Sequence, residues 1–154
     1  MKAYPYACAG ILFAFIISCN PSVNSTSVKY SPVMGTWKLL NGTLIEKGDS
    51  AVTDYTQGKS FIKMINQDHF AFLLHDLAKG LDSNKVFSSG GGRYELKGDD
   101  YTEHLEYCSD RQWEGNDFSF KVAIRGDTLI QRGVEKIDSL KIDRINIEKY
   151  IRLK

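Results

Sequence analysis

The feature that most constrains this chain is a run of paired β signals between residues 90 and 132. Gly90-Gly91-Gly92-Arg93-Tyr94-Glu95-Leu96 and Tyr101-Thr102-Glu103-His104-Leu105-Glu106-Tyr107 flank Lys97-Gly98-Asp99-Asp100. Glycine accepts positive φ there and aspartate caps its own backbone, so the segment reads as a hairpin. A second follows: Phe118-Ser119-Phe120-Lys121-Val122-Ala123-Ile124 alternates apolar and polar, turns at Arg125-Gly126-Asp127, and returns through Thr128-Leu129-Ile130-Gln131-Arg132. Two consecutive hairpins make a meander, which must either close on itself or expose its edges.

Further β signals recur at short spacing on both sides. Residues 34–40 open the folded region, residues 59–66 and 69–74 flank an Asn66-Gln67-Asp68 turn, and residues 145–153 end it. About eight strands result, without long crossover segments, which predicts an all-β fold: a single up-and-down antiparallel barrel. Residues 78–84 and 135–143 are the longest loop candidates, the latter with a short helical turn. At 154 residues, 25% charged and 42% hydrophobic, the chain suits one globular domain. Twenty basic residues against nineteen acidic leave a formal net charge of +1. That balance gives no long-range field for nucleic acid, so no nucleic-acid partner is expected.

The N-terminus precedes this domain. Met1-Lys2 is basic, and residues 7–17 are almost wholly apolar, too short for a span of about 20 residues but of signal-peptide length. Ile16-Ile17-Ser18-Cys19 resembles a bacterial lipobox. The resemblance implies cleavage after Ser18, a lipid on Cys19, and membrane attachment in the bacterial cell envelope, periplasmic or at the cell surface. An ordinary cleaved signal or an anchor helix is the alternative. On the lipobox reading Cys8 leaves with the signal and Cys19 is a thioether, so Cys108 has no intrachain disulfide partner. The domains are therefore 1–18 signal peptide, 19–33 lipidated terminus and flexible tether, and 34–154 barrel. The tether is rich in Ser, Thr, Asn and Val with Pro21 and Pro32, and lacks helical periodicity.

Gly35-x-Trp37 on the first strand, with Arg152 on the last, resembles the lipocalin and calycin signature. That resemblance implies that the tryptophan packs against the basic side chain where the barrel closes, a cation–π contact of about 0.5–2 kcal/mol. More narrowly, Phe61-Ile62-Lys63-Met64-Ile65, Asp68-His69-Phe70, Gly90-Gly91-Gly92-Arg93-Tyr94, residues 101–107 and Arg125-Gly126-Asp127 are together similar to a lipocalin-like domain of bacterial secreted and membrane proteins. The similarity runs from Gly35 to the end. It brings the fold with it and no particular ligand.

Period-two counting assigns the faces. On residues 101–108 the apolar row is Tyr101, Glu103, Leu105 and Tyr107; on the next strand it is Phe118, Phe120, Val122 and Ile124. Glu103 therefore points inward, where a carboxylate costs several kcal/mol, roughly, unless paired, hydrogen-bonded or protonated. It is either a polar anchor for a ligand or a buried group satisfied by a neighbouring Arg, Lys or Tyr. His104-x-Glu106 places two metal-ligand types on one face, but that face looks outward toward Lys121 and Arg125. A solvated charge ladder accounts for it, and neither a metal nor another cofactor is expected. The Gly90-Gly91-Gly92 run precedes no helix that could hold a phosphate, and reads as a bend or bulge. No acid, base and nucleophile converge, so an enzyme is not expected. The expected function is binding of a small apolar or amphipathic molecule by Phe72, Tyr94, Tyr101, Glu103, Tyr107, Phe118 and Phe120. The alternative is a barrel filled by its own aromatic side chains whose loops bind a protein partner.

Overall fold

The computed structural model describes residues 31–154. The strands are β1 (Gly35–Glu46), β2 (Asp49–Asp54), β3 (Lys59–Ile65), β4 (His69–Asp76), β5 (Phe87–Lys97), β6 (Asp100–Cys108), β7 (Asn116–Arg125), β8 (Thr128–Ile137) and β9 (Ile142–Arg152). All neighbours are antiparallel, in the order β1-β3-β4-β5-β6-β7-β8-β9, and β9 pairs back onto β1 from Trp37↔Arg152 to Ile45↔Ile145. The result is a closed eight-stranded up-and-down barrel. Among the described residues no helix is long and apolar enough to cross a membrane.

The ninth strand is an addition. β1 is long enough to serve two partners on one edge: residues 35–38 pair with β3, and residues 41–46 pair with β2. β2 therefore stands beside the upper half of β1, where β3 has turned away. The expectation of about eight strands omits this hairpin and the second half of β1. Its signal is present nonetheless, because Lys47-Gly48-Asp49 repeats the turn tripeptide Lys97-Gly98-Asp99.

The two ends of the barrel differ because their connections differ. At one end the turns are short, with Gly98 and Gly126 at φ of 68° and 57°, the left-handed region in which a Cβ is costly. Residues 31–34 close that end: the Trp37 indole donates to the Val33 carbonyl at 2.7 Å, and Arg152 donates to the Met34 and Pro32 carbonyls at 2.6 and 2.9 Å. The other end carries the β1–β2 hairpin and the longer connections 77–86 and 109–115. Asp76 organises the first of these by accepting from the Gly80 and Val86 amides at 2.8 and 3.0 Å. Those bonds hold its carboxyl below the usual carboxylate range.

Residues 135–143 are mostly strand rather than loop: β8 continues to Ile137, a 3-10 turn spans Asp138–Leu140, and β9 starts at Ile142. The physical reason is that Glu135 and Ile137 both face inward, a polar and an apolar residue in one row, which blurs the alternation. Residues 78–84 lie in the connection between β4 and β5, as expected of a loop.

Candidate functional site

The inward rows of the barrel fill its closed half and leave its open half hollow. Trp37, Leu39, Ile65, Phe70, Tyr94, Tyr101, Leu129 and Tyr150 are buried together and form the filled part. Above them is a cavity of about 350 Å³, within the range of small-molecule sites. Its wall is aromatic: Phe61 stacks on Phe72 at 5.6 Å between centroids, Tyr55 meets Phe61 edge-on at 5.7 Å, and Trp113 leans on Phe118 at 5.8 Å. Phe120, Leu44, Leu105 and Cys108 complete it.

The floor is polar. Lys63 on β3 is 3% exposed, and its ammonium donates to Glu103 on β6 and, at 3.1 Å, to Gln131 on β8. It also stands 5.4–5.8 Å from the ring centres of Phe70, Tyr101 and Tyr150, so aromatic faces supply part of the solvation it has lost. A second pair sits higher: Arg144 and Asn146 on β9 each donate to Glu135 on β8 at 2.7 Å, and the Arg144 guanidinium lies 5.3 Å over Trp113. Glu148 lies between the two pairs and accepts from the Tyr150 hydroxyl at 2.8 Å. Burial raises its carboxyl above the ordinary value, and Lys63 partly opposes that shift. Burial likewise pushes up the phenols of Tyr150 and Tyr55, with Glu148 adding to both. The phenol of Tyr101 is also displaced upward, by burial and then by Glu103, and its hydroxyl is buried with no hydrogen-bond partner among the described residues.

The residues expected to bind a ligand divide into three groups. Phe72, Glu103, Phe118 and Phe120 line the cavity. Tyr94 and Tyr101 face inward but lie in the filled half: their rings are 5.2 Å apart, and the Tyr94 hydroxyl donates to the Asn66 carbonyl at 2.9 Å. Tyr107 is a correction, because it is 67% exposed on the outer surface. The cause is a β-bulge. Gly91 pairs with Tyr107 but Gly92 pairs with Leu105, so Glu106 is extra and every residue beyond it changes face. Cys108 thereby turns in where Tyr107 was expected to. The glycines permit the bulge, since a Cβ on Gly92 would stand 1.9 Å from the His104 carbonyl oxygen.

Gly35, Trp37 and Arg152 meet at the closed end, with the Arg152 guanidinium 4.0 Å over the Trp37 ring. On the outer face His104 pairs with Asp117 at 2.8 Å and Glu106 with Arg93 at 2.6 Å. The charge ladder thus runs through those partners rather than through Lys121, which pairs with Asp99 and Asp100, or Arg125. Cys19, the signal peptide and most of the tether lie outside the described residues. Sequence reasoning did not find Lys63, Gln131, Glu135, Arg144, Asn146 or Glu148. Lys63 was within reach, because it shares a row with Phe61 and Ile65.

No family model matches the chain, and no curated protein matches it. Among solved structures it is similar to the crystal structure of an uncharacterized protein from Bacteroides eggerthii, at 12% identity and a TM-score of 0.45, covering 78% of this chain and 98% of that one.

Proposed function

We propose that this chain is a lipocalin-like binding protein of the bacterial envelope, held to a membrane by a lipid on Cys19, whose barrel takes one small amphipathic molecule. The observation that carries the reading is the cavity of about 350 Å³ between an aromatic wall and a charged floor. An apolar body gains roughly 25 cal/mol for each Å² it removes from water against Phe61, Phe72, Phe118 and Phe120. A polar end reaches the groups around Lys63 and Glu148, which favours an amphipathic ligand over a purely apolar one. The floor's two cations are paired with Glu103 and Glu135, and the reading taken is binding.

A second reading, a protein-interaction module, draws on the outer surface. The bulge that expels Tyr107 sets it beside Leu73, with Phe87 further along β5, and all three are exposed. The deciding experiment is native mass spectrometry of protein purified from its own cells, alongside displacement of an environment-sensitive fluorescent amphiphile. An extra small-molecule mass that leaves on denaturation, or saturable probe binding lost in Phe72→Trp and Phe118→Trp, is the expected result. A bare mass together with probe binding indifferent to both substitutions overturns the ligand reading.

A further inference from the structure

The charges inside the cavity do not balance. Glu103, Glu135 and Glu148 line it together with Lys63 and Arg144, and a fourth carboxylate, Asp110, stands at the exposed rim. Each cation is already matched: Lys63 to Glu103 and Arg144 to Glu135. Glu148 is the carboxylate left over. One of its oxygens accepts from Tyr150, and the other has no hydrogen bond among the described residues.

The surroundings of Glu148 leave room for a guest. Its neighbour on one side is Gly42 of β1, against which the Tyr55 ring lies, and on the other Gln131 of β8, and all of them border the cavity. Gln131 is 1% exposed, and its amide oxygen accepts from Lys63. The rings of Tyr55, Phe61 and Tyr150 stand around the same point, with Phe61 6.4 Å from Tyr150 between centroids. A part-buried carboxylate that neither cation pairs with, set beside aromatic faces, is an environment for a cation. A carboxylate-headed guest would instead find both cations occupied and a third negative charge beside it.

We infer that the ligand's polar end is a protonated amine, seated on Glu148 among Tyr55, Phe61 and Tyr150, with its apolar portion running up the aromatic wall toward the mouth. This inference rests on the barrel being a ligand site. The test uses three probes of equal chain length, octylammonium, octan-1-ol and octanoate, titrated calorimetrically at neutral pH into the barrel domain of the intact chain and into Glu148→Gln. Tyr150 can donate to glutamine as it does to glutamate, so the variant keeps the local hydrogen bond.

In the wild type octylammonium should bind about tenfold or more tighter than the other two, the scale of one charge-assisted hydrogen bond. In Glu148→Gln that preference should vanish while octan-1-ol still binds. Octanoate or octan-1-ol binding as tightly as the amine in the wild type overturns the inference and leaves the ligand site standing, as does a preference that survives Glu148→Gln. If none of the three binds, the inference and the ligand reading fall together. The wild-type comparison decides even if the variant does not fold.

Discussion

Trp37 and Arg152 are register partners where the first strand meets the last, and the guanidinium lies 4.0 Å above the indole it faces. The same guanidinium donates to the carbonyls of Met34 and Pro32, so one side chain fastens β1, β9 and the segment entering the barrel. Arg152→Ala removes the cation–π contact and two charge-assisted hydrogen bonds. It should cost about 2–4 kcal/mol of unfolding free energy in urea, and Arg152→Lys should recover less than half, because an ammonium cannot reproduce the planar fork. Arg152→Ala within about 0.5 kcal/mol of wild type would show that closure rests on the strand ladder alone.

Lys63 and Glu103 form an ion pair with less than a tenth of either side chain exposed. Removing one partner strands the other's charge inside the barrel, so Lys63→Met and Glu103→Leu should each destabilise by about 3–5 kcal/mol. The double variant should be markedly more stable than either single one, since it strands neither partner of the pair. Denaturant titration of the four proteins gives the coupling. Strictly additive losses would mean that the two groups do not act as a pair.

Glu148 makes the protein respond to pH in a definite direction. Burial raises its folded-state value above the ordinary 4.5, so the folded chain holds a proton that the unfolded chain has released. Stability should therefore fall as pH rises from about 4.5 through the raised value, and Glu148→Gln should lose that part of the slope. At neutral pH the variant should be the more stable protein, and near pH 4 the two should converge. Amine affinity should move the opposite way, strengthening as Glu148 ionises. The groups facing it are Lys63 of β3, Glu103 of β6, Glu135 of β8, Arg144 and Tyr150 of β9, and Tyr55; a profile unchanged in Glu148→Gln would reassign the effect to one of these. Thermal unfolding across pH for both proteins measures it.

The anchor has its own test. Cys19→Ala removes the lipid chains that, at about 0.8 kcal/mol per buried CH₂, would be the strong attachment of a nearly neutral chain. The protein should leave the membrane fraction, or persist as an uncleaved precursor, while the barrel keeps its fold. Processed Cys19→Ala protein, shown by mass to lack residues 1–18, that still sediments with membranes as fully as wild type would refute the lipid anchor.

The parts of the fold that were legible in the chain are those in which hydrophobicity and geometry agree. Phe118, Phe120, Val122 and Ile124 announce their face, the Asn66-Gln67-Asp68 and Arg125-Gly126-Asp127 turns announce their hairpins, and Trp37 with Arg152 announces the closure. The binding floor was not legible, because Lys63, Gln131, Glu135 and Glu148 are polar residues on inward rows, and polarity read one strand at a time suggests solvent. Their inward position follows from partners on other strands: Lys63 is satisfied only once β6 and β8 lie opposite β3. The bulge at Glu106 was hidden for a different reason. Alternation carries no mark of where it skips, and the glycines that permit the skip are on the neighbouring strand. The Asn41–Asp54 hairpin could have been read from its own turn.

That skipped residue also equips the molecule for experiment. By turning Cys108 inward it sets the one free thiol among the described residues at the upper wall of the hollow, where burial raises its thiol above the ordinary range and slows its spontaneous reaction. Its thiol borders the cavity, so a guest seated there should slow alkylation relative to the empty barrel. The rate of alkylation is thus an occupancy meter, and disulfide-tethered fragments captured there would survey candidate guests with the native sequence unaltered.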